Sequence, residues 1–457
     1  MLLPVATAVL VLAIGQSDGS RERRTGEGAV APAGQPPAPE ELRQPTGSDH
    51  VIRLSGVPYD VTDLSGVPYM PSVGALSDAI RGVFLDVALM SAVRAQVLAT
   101  PDTVRAWGEY LEVTPGIALE VGSPRFSLSL GYAPRLTVPF NVGGFELAVL
   151  NRATLLASWR ASPLWTVTAS GIIVVGDYSQ LNPSSTPGGP GPPPPILNPV
   201  RSFQTFSYVD IDTRMAVDGT LSARSRIRLA GGYFDVGGVG PVGQANQPRM
   251  WGPLGEAAFA WDASRTSTLT TAATARSWMM VGDYNVVIAT LTESWRQSWT
   301  SELETTLAAG PGLSNRDVES PTGAHHLVPV ASFRLDYVAE SRQSVRLSLG
   351  AALAPFVDAY IRIPSEQFTL RGSLDWSPSD AWHLGAYLSA ALANNSSASP
   401  GSYGDAGLSA SYAPVRPLIL SIGAYSQVQF QGATAGMGAF RQFSLYFSLA
   451  LRDRFSL

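Results

Sequence analysis

Residues 125–138 impose the strongest constraint in this sequence. Phe126, Leu128, Leu130, Tyr132, Pro134, Leu136 and Val138 share one parity, and Arg125, Ser127, Ser129, Gly131, Ala133, Arg135 and Thr137 the other. Successive residues of a strand point to opposite faces, so this segment has one apolar and one polar face. A helix would set Phe126 and Leu128 about 200° apart and mix the two sets. The alternation returns in Val345–Leu353, Phe368–Trp376, Trp382–Ala390 and Phe443–Leu451. These segments reach or approach the roughly 10 residues that a tilted strand needs to cross a bilayer, whereas soluble strands average about 5 to 6. The polar face holds Ser, Thr, Gly, Ala and scattered charges, the reverse of a soluble core. The pattern predicts an apolar outside around a polar inside.

Composition agrees with that reading. Only 15% of the 457 residues are charged, against about 25% in soluble proteins. Mean hydropathy is only +0.10, lower than a helical membrane protein needs and suited to strands that meet lipid at every second residue. With no cysteine, disulfides, thiolate nucleophiles and thiolate metal ligands are excluded. A net charge of −5 gives no reason to invoke nucleic acid.

Connections between the alternating segments switch between short and long. Ser123-Pro124, Ser162-Pro163, Asp262-Ala263-Ser264, Ser341-Arg342, Ser377–Asp380 and Val415-Arg416 are short, while 179–202, 236–249, 311–324, 394–402 and 431–439 are long. Bacterial barrels have short periplasmic turns and long external loops. Strands are therefore expected near 82–98, 108–122, 125–139, 145–160, 165–178, 203–217, 223–235, 250–262, 266–281, 285–299, 301–310, 326–340, 344–359, 363–376, 381–393, 403–414, 417–430 and 440–452. The expected fold class is all-β: a transmembrane antiparallel β-barrel of about 18 strands, with sixteen as the alternative count. Residues 76–98 also read as an amphipathic helix (Ile80, Val83, Phe84, Val87, Met90, Val93) that could plug the lumen. Tryptophans 107, 159, 165, 251, 261, 295, 299, 376 and 382 fall near strand ends, where the lipid headgroups favour them.

The N-terminal region reads differently. Leu2–Ile14 is an apolar run followed by small and polar residues, so 1–20 is expected to be a signal peptide, although no Lys or Arg precedes the run. Residues 21–81 open charged and then Pro-rich, and are expected to form a disordered or extended periplasmic segment. Within them Leu54–Tyr59 recurs as Leu64–Tyr69. Two copies make no solenoid, which leaves a pair of turns or a tethered docking peptide. The barrel is expected over 82–457.

Chemistry-bearing motifs are sparse. The four histidines are His50, His325, His326 and His383, and no paired metal motif such as H-E-x-x-H accompanies them. No catalytic or metal-ligating residue can be nominated, and neither enzymatic activity nor a cofactor is expected. The polar face carries the functional candidates: Arg125, Arg135, Arg152, Arg214, Arg224, Arg226, Arg228, Arg334, Arg346 and Arg371, with Asp210, Asp212, Asp336 and Asp375. Arg160, Arg276, Arg296, Glu112, Glu120, Glu146, Glu302 and Glu304 are expected beside them. Arg224, Arg226 and Arg228 read as a ladder along one strand, with Asp210, Asp212 and Arg214 on its hairpin neighbour. Such a row either braces the wall through ion pairs or offers guanidinium forks to carboxylates, sulfates and sugar hydroxyls in a wet conduit.

Three features carry a family resemblance: the strand ends Tyr132-Ala133-Pro134 and Tyr412-Ala413-Pro414, and the run Leu150–Leu156 leading to Gly176-Asp177-Tyr178. Together with the long strands they resemble outer-membrane proteins of the β-barrel porin type, including barrels associated with exopolysaccharide secretion. The terminal Arg454-Phe455-Ser456-Leu457 resembles the C-terminal signal read by the barrel assembly machinery, with Leu in place of the usual Phe. The resemblance implies an outer-membrane channel for export of exopolysaccharide or capsular polysaccharide beside a periplasmic polysaccharide-export protein. The residues leave three alternatives open: a diffusion or uptake porin for small polar solutes, a closed structural or adhesin barrel, and a membrane hydrolase.

Overall fold

The computed structural model describes residues 82–99, 106–140, 147–179, 205–246, 248–282, 284–317, 326–340, 344–358, 363–379, 381–393, 403–415, 418–429 and 440–456. The expected signal peptide, the 21–81 segment with its repeat, His50, His325 and Glu146 lie outside them.

The strands are β1 (Gly82–Ala99), β2 (Ala106–Gly122), β3 (Phe126–Tyr132), β4 (Arg135–Pro139), β5 (Ala148–Ser162), β6 (Trp165–Ser179), β7 (Thr205–Ser222), β8 (Ser225–Gly238), β9 (Met250–Asp262) and β10 (Ser267–Met280). They continue as β11 (Tyr284–Ser298), β12 (Leu303–Asp317), β13 (His326–Glu340), β14 (Ser344–Asp358), β15 (Ile363–Ser379), β16 (Trp382–Ala393), β17 (Tyr403–Val415), β18 (Leu418–Gln429) and β19 (Phe440–Ser456). Each pairs antiparallel with its sequence neighbours, and β1 pairs β19 from Phe84↔Ser456 to Ala99↔Arg441, closing the sheet. β3 and β4 are one strand interrupted at Ala133-Pro134, both lying between β2 and β5. Proline has no N–H to give the ladder, yet the register is the same on either side. The barrel therefore has eighteen strands. Closure removes the sheet edges, whose unpaired backbone groups hydrocarbon cannot satisfy.

Residues 82–98 are strand rather than plug helix. Several strand boundaries also differ from expectation, β19 for example ending at Ser456 rather than near 452. β7 runs on to Ser222, and β12 passes through Pro311-Gly312 to Asp317, because each is completed by a neighbour rather than by local propensity. The connection after β8 carries a short helix, α1 (Gly240–Asn246), anchored where the Val239 amide donates to the Ser207 carbonyl at 2.7 Å.

Tight turns lie at the end that holds Gly82 and Ser456. At Ser123–Phe126 the two residues exchange backbone hydrogen bonds of 2.7 and 3.3 Å. The Thr300 hydroxyl accepts from the amides of Glu302 and Leu303 at 3.1 and 3.0 Å. By its short turns this end faces the periplasm.

The outer surface is a belt of large apolar side chains. On β19 Phe443, Leu445, Phe447 and Leu451 are 41% to 49% exposed, and Leu291, Leu349, Leu370 and Leu388 hold the same face elsewhere. Water would tolerate no apolar patch of that extent on a monomer; a bilayer requires it. Trp159, Trp165, Trp261, Trp299, Trp376 and Trp382 are exposed near the periplasmic ends of their strands and form one aromatic girdle.

Candidate functional site

Cross-strand partners in an antiparallel sheet project to the same side, so the register defines the inner face. In its periplasmic half that face is built from short ion pairs. Arg228 on β8 stands opposite Asp218 on β7 and donates to it at 3.0 and 3.2 Å. Its Nε lies 3.7 Å from Glu256 on β9, whose side chain is 1% exposed. Arg226 reaches Asp262 at 2.7 Å, and the Thr268 hydroxyl donates to the same carboxylate at 2.8 Å. Arg296 bonds Glu304 at 2.6 Å. Arg334 bonds Asp336 at 2.7 Å, and the Ser348 hydroxyl donates to that aspartate at 2.8 Å.

Higher in the wall Arg214 forks onto Asp212 at 2.9 and 2.8 Å. Arg135 lies 4.0 Å from Glu112, both buried, and Arg152 and Glu120 are buried on the same face. Arg276 lies over the Phe234 ring, 3.8 Å from its centroid, with the Trp278 ring 4.8 Å away. Arg346 stands opposite Asp375 across β14–β15, and Arg371 opposite Gly350 and Ser389.

The arginine ladder needs correction. Arg224 lies in the turn between Ser222 and Ser225 and is exposed, so only Arg226 and Arg228 share the strand. Asp210 and Asp212 do not neutralise them: they stand opposite Val236 and Phe234, toward the other end. The acids that do are Asp218, Asp262 and Glu256, which the sequence reading passed over. Ending β7 near 217 placed Asp218 in a loop; the tight Ser222–Ser225 turn instead puts it opposite Arg228. Arg125 and Glu302 likewise fall in exposed turns rather than on the wall.

The extracellular half of the inner face from β5 to β14 is largely apolar, with Arg152 and Asp210 set opposite Val174 within it. Leu150, Val174, Phe206 and Tyr208 form a buried cluster with Ile172 and Val236 against it. Met280, Val286, Ile288 and Val357 form a second, joined by Met250, Trp278 and Tyr284. Val328 and Val330 on β13 are each 4% exposed. Val357 packs in this second cluster although β12 and β13 intervene between its strand and β11. The signal was in the sequence: Ile172–Val175, Val286–Ile288 and Leu327–Val330 are unbroken apolar runs where alternation lapses. Both faces are apolar there.

Ser377, His383 and Asp375 meet near the periplasmic end. Ser377 Oγ is 3.1 Å from His383 Nδ1, and His383 Nε2 lies 3.5 Å from Asp375. The trio clasps β15 to β16 at a register shift between Trp376 and Ser379; Asp375 stands at the outer limit of hydrogen-bond length, a loose hold on the ring by the standard of a catalytic triad. His326 is exposed at the start of β13. Among the described residues no group of three or more His, Cys, Asp and Glu side chains could hold a metal ion.

The geometry is that of a membrane barrel with a charged wall, and the family comparison meets it there. The model of the EpsX exopolysaccharide export family matches residues 85–426. The chain belongs to that family. It is an outer-membrane β-barrel channel. No curated protein sequence matches the chain. Among solved structures, Pseudomonas aeruginosa OccK11 (OpdR) is similar at 13% identity over 83% of this chain and 100% of that one, with a TM-score of 0.39. Pseudomonas aeruginosa OpdK with vanillate is similar at 11% identity over 82% and 99%, with a TM-score of 0.41. For Acinetobacter baumannii OccAB4 the figures are 9%, 82% and 99%, and 0.40.

Proposed function

We propose that this EpsX family member is the outer-membrane conduit through which an exopolysaccharide or capsular polysaccharide leaves the cell, working with a periplasmic polysaccharide-export protein. The observation that carries the reading is the family match across residues 85–426. The wall supports it chemically. Guanidinium groups held in short pairs by Asp218, Glu256, Asp262, Glu304 and Asp336 present alternating charge rather than a single-sign field. A long hydroxylated chain can exchange weak contacts along such a wall without being trapped. In this reading the inner-face arginines and aspartates line the path, residues 1–20 direct secretion, and 21–81 stand on the periplasmic side with Gly82.

Disruption of the gene tests the proposal. Surface polysaccharide should fall to background while the polymer accumulates inside, and the wild-type gene should restore it. Undiminished surface polymer together with slower uptake of small polar solutes would overturn export in favour of a diffusion porin.

A further inference from the structure

Three tyrosines share the inner face on β16, β18 and β19: Tyr387, Tyr425 and Tyr446. Across these strands Tyr387 stands opposite Gly407, Gly407 opposite Tyr425, and Gly423 opposite Tyr446. A Cβ at Gly407 would collide with the Tyr387 ring, and one at Gly423 with the Tyr446 ring. Both rings therefore lie flat across a glycine of the neighbouring strand instead of projecting from the wall. The Tyr387 and Tyr425 rings are stacked, with centroids 6.4 Å apart and planes 22° apart. Tyr425 is buried between its neighbours, while Tyr387 and Tyr446 are half-buried and keep part of their surface open. The result is a continuous aromatic surface across four strands, on the side of the lumen away from the apolar clusters.

Covering a glycine with a ring accounts for this posture but not for the polar groups at its edge. Tyr387 Oη and Arg371 Nη1 are buried without a hydrogen-bond partner among the described residues. Arg371 stands opposite Ser389, two residues beyond Tyr387, and Ser389 stands opposite Asp405, to which it is hydrogen-bonded. Unsatisfied buried donors cost stability and call for a reason. A flat aromatic face bordered by a phenol, a guanidinium and a carboxylate complements a pyranose, which offers an apolar C–H face and a rim of hydroxyls.

We infer that the inner wall of β15–β19 is a carbohydrate-binding strip on which successive pyranose units stack during passage. This rests on the reading of the barrel as a polysaccharide conduit and names where that conduit grips its cargo. The test is ion current through the purified full-length protein in a planar bilayer. The probes are maltoheptaose and a polyethylene glycol of equal hydrodynamic size. The sugar should interrupt the current at a concentration about tenfold lower than the glycol. Tyr387→Leu with Tyr446→Leu should weaken the sugar block about tenfold relative to the glycol block, and the corresponding pair of Phe changes should hold it within about threefold. Equal potency of sugar and glycol on the wild type would overturn the strip. So would an undiminished block in a folded leucine pair. The wild-type comparison stands even if that pair fails to fold. A barrel that passes no ions overturns the conduit itself, whereas one that conducts but ignores the sugar overturns only the strip.

Discussion

Leu349 and Ser348 are neighbours on β14 with opposite fates. Leu349 is 44% exposed on the outer belt, and Ser348 donates to Asp336 at 2.8 Å on the inner wall. β14 has 15 residues; at a rise of about 3.4 Å and a tilt of about 40° it climbs roughly 39 Å. An apolar band about 25 Å tall then takes up about ten residues centred near Ala351, which puts Leu349 about 5 Å from the midplane. Arginine at that depth should cost about 2–4 kcal/mol, or roughly 30- to 700-fold in the folding equilibrium. Ser348→Arg loses one hydrogen bond but brings a guanidinium beside Asp336, so its cost should stay within about 1 kcal/mol. Urea-titrated refolding into thin-chain lipid vesicles, read by heat-modifiable migration, measures both. Equal losses for the two variants would refute the assignment of the faces.

Arg228→Gln leaves Glu256 buried with only Arg214 near it among the described cations, and should cost about 1–3 kcal/mol in the same assay. Adding Glu256→Gln should recover most of that loss, and a single variant as stable as wild type would show that the pair braces nothing. Gly176 has φ +146° and its Cβ would strike the Val149 carbonyl, so Gly176→Val should yield no heat-modifiable barrel; Gly231→Ala, with nothing nearer than the Leu254 carbonyl at 3.7 Å, should fold normally. The chain has no cysteine, so single cysteines report topology cleanly. An impermeant maleimide on intact cells should label Gly282→Cys and not Ser264→Cys, and the reverse pattern would invert the barrel.

Much of the barrel was legible because a strand that meets lipid on one side and water on the other must alternate. Residues 326–340 and 250–262 were delimited to the residue, since polar sequence flanks them on both sides. The readings that failed were those that local patterns cannot supply. Pro311-Gly312 looked like a loop, but β12 continues through it because β13 supplies partners from Leu303↔Tyr337 to Ser314↔His326. Asp218 could not be assigned to Arg228 without the register set by the Ser222–Ser225 turn. The apolar clusters at the extracellular end escaped because alternation was taken to hold along whole strands, although Ile172–Val175 already broke it. The tyrosine wall depends on which glycine faces which ring, a relation between strands that no single segment encodes.

If the barrel is the export conduit proposed above, polymer in transit touches the inner wall and not the outer one, and photocrosslinking in living cells tests this directly. Thr369 is on the inner face, its hydroxyl donating to the Ala352 carbonyl, and Leu370 beside it is 46% exposed on the belt. With a photoreactive phenylalanine at either position in cells making polysaccharide, irradiation should attach polymer to the barrel at 369 and only lipid at 370. Polymer reaching the surface with no adduct at 369, or equal adducts at both positions, would contradict export through the lumen.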